Sequence, residues 1–232
     1  MADSRFFDAV IFDFDGVLVN SGLDICNAIN HTLELNNVQR LPNEKIIDFV
    51  GFGARKLLRL CFGESKSATV DIDKDIEFIY SQYFEYYMAH STDQSTMYPG
   101  VAETLRSLNV LGVPCAVVTN KPESLTRRIC EIFEIDKYFK KIIGPESVGK
   151  AKPDPEGINL FLKECVQGTK TQTPYAVMVG DTDIDIFAGR SAGIHTCGVT
   201  YGLGDFENLK AAKPDFFIDE FSKIMELGVG AR

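Results

Sequence analysis

Two aspartates, Asp13 and Asp15, stand one residue apart at the end of the apolar run AVIF, with Gly16 behind them to permit a tight turn. Residues i and i+2 of a strand share a face, so Asp13 and the start of the turn at Asp15 can address one point. Carboxylates that close repel each other, and one takes up a proton unless a cation joins them. The pair is either solvated at a loop or built to hold a metal. Three other stretches offer polar groups of complementary kinds. Thr119, Asn120 and Lys121 follow the run CAVV, where a hydroxyl leading into a helix suits phosphate and equally an ordinary cap. Lys150 and Lys152 in GKAKPDPEG either neutralise phosphate charge or lie solvated in a turn. Asp181, Asp183 and Asp185 in VGDTDIDIF are either ligands or first-turn acids that favour the helix dipole.

The elements that must position these groups alternate in kind. Residues 6–12, 113–119, 141–144, 175–180, 195–199 and 215–218 are short runs rich in apolar residues, and helical patterns such as ESLTRRICEIFEI and PEGINLFLKECV lie between them. Strands that are apolar throughout and alternate with helices predict an α/β architecture, a doubly wound parallel sheet covered on both faces. In such sheets ligands bind outside the carboxyl ends of the strands. Four strand ends carry, in chain order, Asp-x-Asp, Thr, Lys and Gly-Asp-x-x-x-Asp. Carboxylates that offer only oxygen favour a hard cation, Mg²⁺ above all. A cation beside a lysine and a hydroxyl makes a phosphate site, in which a carboxylate can act as nucleophile. The aspartates of the first strand therefore read as sharing Mg²⁺, with one of them attacking phosphorus.

One stretch breaks the alternation. From about residue 21 to 96 no convincing strand occurs, and DIDKDIEFIYSQYFEYYMAH sets Ile72, Ile76, Ile79, Tyr83 and Tyr87 on one helical stripe. The expected division is a discontinuous core of residues 1–16 and 97–232, interrupted by a helical insert over 17–96. The chain is 45% hydrophobic and 25% charged, the mixture of a soluble globular protein. Its formal charge of −9, spread along the sequence, argues against a nucleic-acid partner. Six scattered cysteines (Cys26, Cys61, Cys115, Cys130, Cys165 and Cys197) form no CxxC pair and read as buried, reduced thiols. No apolar run approaches the roughly 20 residues of a membrane helix, and MADSRFFDAVIF lacks a secretory pattern. The expectation is a cytoplasmic protein with no membrane partner.

As an ordered set, DFDGVL, VVTN, KAKPDP and GDTDID resemble the four motifs of the haloacid dehalogenase superfamily, and the likeness to its phosphoglycolate-phosphatase-like branch spans nearly the whole chain. The resemblance implies a Rossmann-like core with an α-helical cap inserted after the first strand. It also implies a Mg²⁺-dependent phosphomonoester hydrolase acting on a small phosphorylated metabolite through an aspartyl-phosphate. Asp13 would be the nucleophile, and Asp15 the general acid and then base, with its backbone carbonyl on Mg²⁺. Thr119 and Asn120 would hold the phosphoryl oxygens, and Lys152 would neutralise charge. Asp181 would complete the metal site with Asp13 and Asp15, supported by Asp185. The segment FVGFGARKLL is similar to the Gly-x-Gly cap segment of phosphoglycolate phosphatases and offers Gly51 and Arg55 as substrate contacts, against the plainer reading of a helix start with a surface arginine. Asn20 departs from the usual Asp and removes a charge near the site and hinge. The alternative on the same motifs is a sugar phosphomutase of the β-phosphoglucomutase kind, whose cap loop GFGARKLL fits poorly. Dehalogenases proper lack the second aspartate, and receiver domains place their acceptor after a middle strand without a helical insert.

Overall fold

Strand β1 (Ala9–Phe12) is buried along its whole length, with Val10 and Phe12 packed on one face of the sheet and Ala9 and Ile11 on the other. That two-sided burial is why its sequence is a continuous apolar run rather than an alternating one. The structure, a computed structural model, describes residues 7–65, 70–165 and 175–227. From β1 the chain passes through a two-residue strand, β2 (Val19–Asn20), into four helices. These are α1 (Gly22–Leu35), α2 (Asn43–Ile47), α3 (Ala54–Glu64) and α4 (Ile72–His90). It returns by β3 (Thr96–Met97), antiparallel to β2. Alternation then resumes: α5 (Val101–Val110), β4 (Cys115–Val118), α6 (Glu123–Ile132), β5 (Phe139–Ile143), α7 (Glu156–Cys165), β6 (Ala176–Gly180), α8 (Asp183–Ser191), β7 (His195–Val199), α9 (Phe206–Ala211) and β8 (Phe216–Ile218).

The large sheet is wholly parallel, in the order β5-β4-β1-β6-β7-β8. Counted by its own strands this is the Rossmann order, and the direction of winding reverses between β1 and β6. The carboxyl ends of those two strands therefore flank the crevice where such sheets bind ligands. All six apolar runs of the sequence became strands; the first begins at Phe6, outside the described residues. The N-terminal residues behind the no-leader expectation and the Cys165 side chain also lie outside them. The other five cysteines are free and buried, as expected. Among the described residues no helix is long and apolar enough to cross a membrane.

The expected stripe formed as helix α4: Ile76, Ile79, Tyr83 and Tyr87 are buried, Ile72 is half-buried, and Asp71 caps the first turn by accepting from Lys74 N. The stripe joins Ile25, Ile29 and Leu58 of the neighbouring helices, and this apolar cluster runs on without a break into one face of the sheet. Where the helical segment leaves and rejoins, Asp24 is buried and accepts from Gln94 N, Ser95 N (2.8 Å) and Ser95 Oγ (2.7 Å). Beside it lies the β2–β3 ladder, Val19 opposite Met97 and Asn20 opposite Thr96. The sequence carries no sign of this ladder, because two residues are too few to show a period. Asn20 is exposed on it.

Candidate active site

Every charged group of the site follows a strand of the large sheet. As β1 ends, Asp13 N donates to Val179 O of β6 (2.9 Å), which fixes the aspartate at the crevice between those strands. Asp13 is buried at 6% exposure, and its Oδ1 accepts from Phe14 N (2.7 Å). Lys152 reaches the same oxygen at 2.8 Å and Asp185 Oδ1 at 2.6 Å. Burial works against the lysine's charge, but the two carboxylates outweigh it and hold its pKa above the ordinary value. Of the two lysines in KAKPDP only Lys152 enters the site; Lys150 is exposed and pairs with Asp154.

Lys152 is aimed by its own backbone. Asn120 Oδ1 accepts from Lys152 N (2.9 Å), and Asn120 Nδ2 donates to Lys152 O (3.0 Å) and to Gly51 O (2.9 Å). Asn120 thus ties the loop after β4 both to the lysine and to the loop before α3. Next to it Thr119 is buried, and its Oγ1 accepts from Lys121 N (3.2 Å), which leaves the hydroxyl proton to donate elsewhere.

Asp181 follows β6. Its Oδ2 accepts from Leu203 N (2.8 Å) and Gly204 N (3.0 Å), and a Cβ at Gly16 or Gly202 would overlap its carboxylate. Gly16 also has φ +79°, the left-handed region open to glycine. Burial, then the nearby Asp185 and Asp13, push the Asp181 carboxyl up to about 8 against the pull of those two amides. Asp185 accepts from Thr182 N and Oγ1 as a capping box of α8, so one carboxylate starts the helix and holds Lys152. Asp183 is half-buried on the same turn and stands outside this cluster.

Asp13, Asp181 and Asp185 each offer a carboxylate oxygen within 4.8 Å of the others. All-oxygen donors at that spacing, with Asp181 and Asp185 both pushed up by burial first and by neighbouring carboxylates as well, fit a hard divalent cation. The Asp15 carboxylate is not in this group. It accepts from Ser21 Oγ and from Lys121 Nζ at 2.9 and 3.1 Å, so only its backbone carbonyl is left to meet the metal expectation.

A cavity of about 40 Å³ lies over these residues, lined by Asp13, Asp15, Thr119, Lys121, Asp181 and Gly51 among others. Gly51 is there through its carbonyl, at φ +99°. Arg55 is not brought to this cavity. Its guanidinium donates twice to Glu77 (2.8 and 2.7 Å) and lies 3.9 Å over the Tyr80 ring, beside a second pocket that shares Gly53, Ala54, Asn120 and Pro122 with the first. Sequence reading gave no role to Lys121 or to the YGLG loop that holds Asp181. A Gly-x-Gly just beyond a strand end was the available signal for the loop.

Residues 10–199 match the family model described as haloacid dehalogenase-like hydrolase. The chain is 32% identical over 219 residues to a phosphoglycolate phosphatase of Vibrio parahaemolyticus, covering 94% of each. It is also 32% identical to a phosphoglycolate phosphatase of Agrobacterium fabrum, over 92% of this chain and 89% of that one. In three dimensions it is similar to the crystal structure of a predicted phosphoglycolate phosphatase from Haemophilus somnus 129PT, with a TM-score of 0.86, 30% identity, and 95% and 97% of the two chains covered. The parallel sheet, the four strand-end motifs at its switch point and these likenesses agree, and the chain belongs to the haloacid dehalogenase-like hydrolase family, as a phosphatase of its phosphoglycolate-phosphatase-like branch.

Proposed function

We propose that this chain hydrolyses small phosphomonoesters in the cytoplasm, in a Mg²⁺-dependent reaction that passes through an acyl phosphate on Asp13. Phosphoglycolate is the substrate that the names of its relatives suggest. In this reading an Asp13 carboxylate oxygen forms a bond to phosphorus as the ester P–O bond breaks, and Asp15 gives its proton to the departing alkoxide. Asp15 then takes a proton from a water whose oxygen attacks the same phosphorus. Orthophosphate departs and the Asp13 carboxylate is restored. Thr119 through its hydroxyl and Asn120 through its backbone N–H hold the phosphoryl oxygens, the Asn120 side-chain amide being spent on Lys152 and Gly51, and Lys152 offsets the charge of nucleophile and phosphate. Mg²⁺, held by Asp13, Asp181 and the Asp15 carbonyl with Asp185 in support, would neutralise the negative charge that carboxylates and phosphate bring together.

The observation that carries this reading is the Lys152 ammonium, 2.8 Å from Asp13 and buried among carboxylates that converge within 4.8 Å. A merely structural ion pair needs one carboxylate per lysine; here three carboxylates converge beside one lysine, an excess of negative charge that a divalent cation would offset before a phosphoryl group is bound. We take residues 17–96 as a cap over a core of 1–16 and 97–232. The Asn120–Gly51 hydrogen bond would then be a cap-to-core contact at the site.

The test is phosphate release from p-nitrophenyl phosphate, phosphoglycolate, sugar phosphates, nucleotides and pyrophosphate, with Mg²⁺ or with EDTA, and with Asp13→Asn alongside. Metal-dependent release that disappears in Asp13→Asn is expected. Interconversion of glucose phosphates without release would replace the phosphatase with a mutase, and no turnover at all would sink both.

A further inference from the structure

Lys121 has no part in the reaction written above, yet it is built into the site as closely as Lys152. Its side chain is 3% exposed, and among the described residues lining the cavity it is the only cation. An ammonium buried that far needs an acceptor for each of its three protons. Lys121 Nζ has them: Asp15 Oδ1 at 2.9 Å, Asp15 Oδ2 at 3.1 Å and the Tyr87 hydroxyl at 2.6 Å. It also lies 4.4 Å from the centre of the Tyr87 ring, within cation–π range. Ser21 Oγ donates to Asp15 Oδ1 beside the ammonium. Lys121 thus joins Asp15 to Tyr87, and Ser21 adds a further hold on the same carboxylate. Tyr87 belongs to α4, while Asp15 and Lys121 follow strands of the sheet.

We propose that Lys121 is a positioning residue that holds the Asp15 carboxylate ready to serve the leaving group, and that Tyr87 couples this to the seating of α4. The proposal rests on the reading of Asp15 as the general acid. Asp13, Asp181 and Asp185 already converge within 4.8 Å, and a cation among them would attract a further carboxylate two residues from Asp13. Lys121 pulls from the other side and keeps Asp15 out of that ligand set. A freely rotating aspartate samples three χ1 wells; two contacts from one ammonium and one from Ser21 select a single one. If α4 moves away, the ammonium loses its third acceptor.

The experiment is kcat/KM on an alkyl ester (phosphoglycolate) and on p-nitrophenyl phosphate, for the wild type, Lys121→Met, Tyr87→Phe, Asp15→Asn and the Asp15→Asn/Lys121→Met double variant. This ratio reports steps up to departure of the leaving group, and p-nitrophenolate departs without a proton whereas an alkoxide does not. Lys121→Met should lose about 10- to 100-fold on the alkyl ester and under about 3-fold on p-nitrophenyl phosphate, a fraction of the roughly 10²–10⁴-fold that a general acid contributes. In the Asp15→Asn background the same change should have almost no further effect. Equal losses on both esters, or an undiminished loss beside Asp15→Asn, would overturn the proposal. Should Lys121→Met fail to fold by circular dichroism, Tyr87→Phe decides: a loss confined to the alkyl ester supports the coupling, and a loss shared by both esters ends it. A wild type that releases phosphate from no ester would instead remove the phosphatase reading beneath it.

Discussion

The parallel sheet and the four helices between β2 and β3 meet at one cavity and furnish it with different kinds of group. Asp13, Asp15, Lys121, Lys152, Asp181 and Asp185 all follow strands of the sheet. The helical segment contributes the Gly51 carbonyl, the Tyr87 hydroxyl and the apolar walls of Ile25, Val50 and Leu57. The division has a physical reason. Opposed charges at 2.6–2.9 Å must be held where they cannot relax: β1, β4 and β6 are each bonded on both sides and fix Asp13, Asp15, Lys121 and Asp181, while Asn120 pins the Lys152 backbone and the α8 capping box pins Asp185. Neutral groups tolerate a shift, so the helical segment can carry them.

The largest expected effect strikes the charged side. Lys152→Met would leave Asp13 and Asp185 buried without their shared counter-charge. Breaking a buried pair this way costs about 3–5 kcal/mol of stability, and phosphate release should fall at least about 10³-fold, since charge neutralisation by Lys and metal clamps is the main lever in phosphoryl transfer. Denaturant midpoints and turnover with saturating Mg²⁺ check both halves. A variant that keeps a tenth of the activity would mean that the sheet side does not depend on fixed charge, and the contrast with the helices would lose its basis.

Gly16→Ala attacks the same frame through shape. Its Cβ would overlap the Asp181 carboxylate, and the φ of +79° is unfavourable for alanine. Displacing one ligand should weaken divalent-cation binding about 10- to 100-fold, the range seen when a ligand loses its support. Mg²⁺ or Mn²⁺ titration calorimetry reads this directly; unchanged affinity would remove Asp181 from the metal site.

What could be read from the sequence divides along the same line. Buried parallel strands write themselves as continuous apolar runs, so six strands were legible, and with them the polar residues that follow each. The helical stripe of α4 was legible for the same reason of period. Lys121 was quoted but given no part, because its partner Asp15 is 106 residues away and the pair exists only once β1 and β4 lie side by side. The amides of Leu203 and Gly204 that hold Asp181 are backbone groups, which no residue type advertises. Asp24 stands in the first turn of α1, and nothing local marks its grip on residues 94 and 95, which depends on the two linkers meeting. Side-chain chemistry at strand ends is legible, whereas contacts made between distant segments are not.

A smaller effect should appear in the pH dependence of stability without metal. Asp181 has an ordinary carboxyl pKa near 3.8 when unfolded and one pushed up to about 8 when buried beside Asp185 and Asp13. Below pH 4 both states are protonated and nothing is lost. As pH rises from 4 through about 8 the unfolded chain gives up a proton that the folded one keeps, so stability falls across that range. Mg²⁺ should reverse this slope, because the deprotonated carboxylate is the form that binds it. Thermal melts in EDTA and in Mg²⁺ across that range are the measurement, and a flat metal-free profile would contradict the burial of uncompensated charge at the sheet edge.

The smallest effect sharpens the contrast most, because it concerns the one charged residue of the helical segment that resemblance placed at the substrate. Arg55 is 47% exposed on its side chain and is occupied on two sides, by Glu77 and by the Tyr80 ring. An exposed ion pair of this kind contributes little. Bringing the guanidinium to the cavity would require breaking both contacts. Arg55→Ala should therefore leave kcat/KM for phosphoglycolate within about twofold, as surface substitutions away from a site generally do, while Lys121→Met does not. A rise in KM above about tenfold with kcat unchanged would place Arg55 on the bound substrate. The helices would then bring charge as well as closure, and the division of labour drawn here would have to become one between charges fixed before the substrate arrives and charges recruited by it.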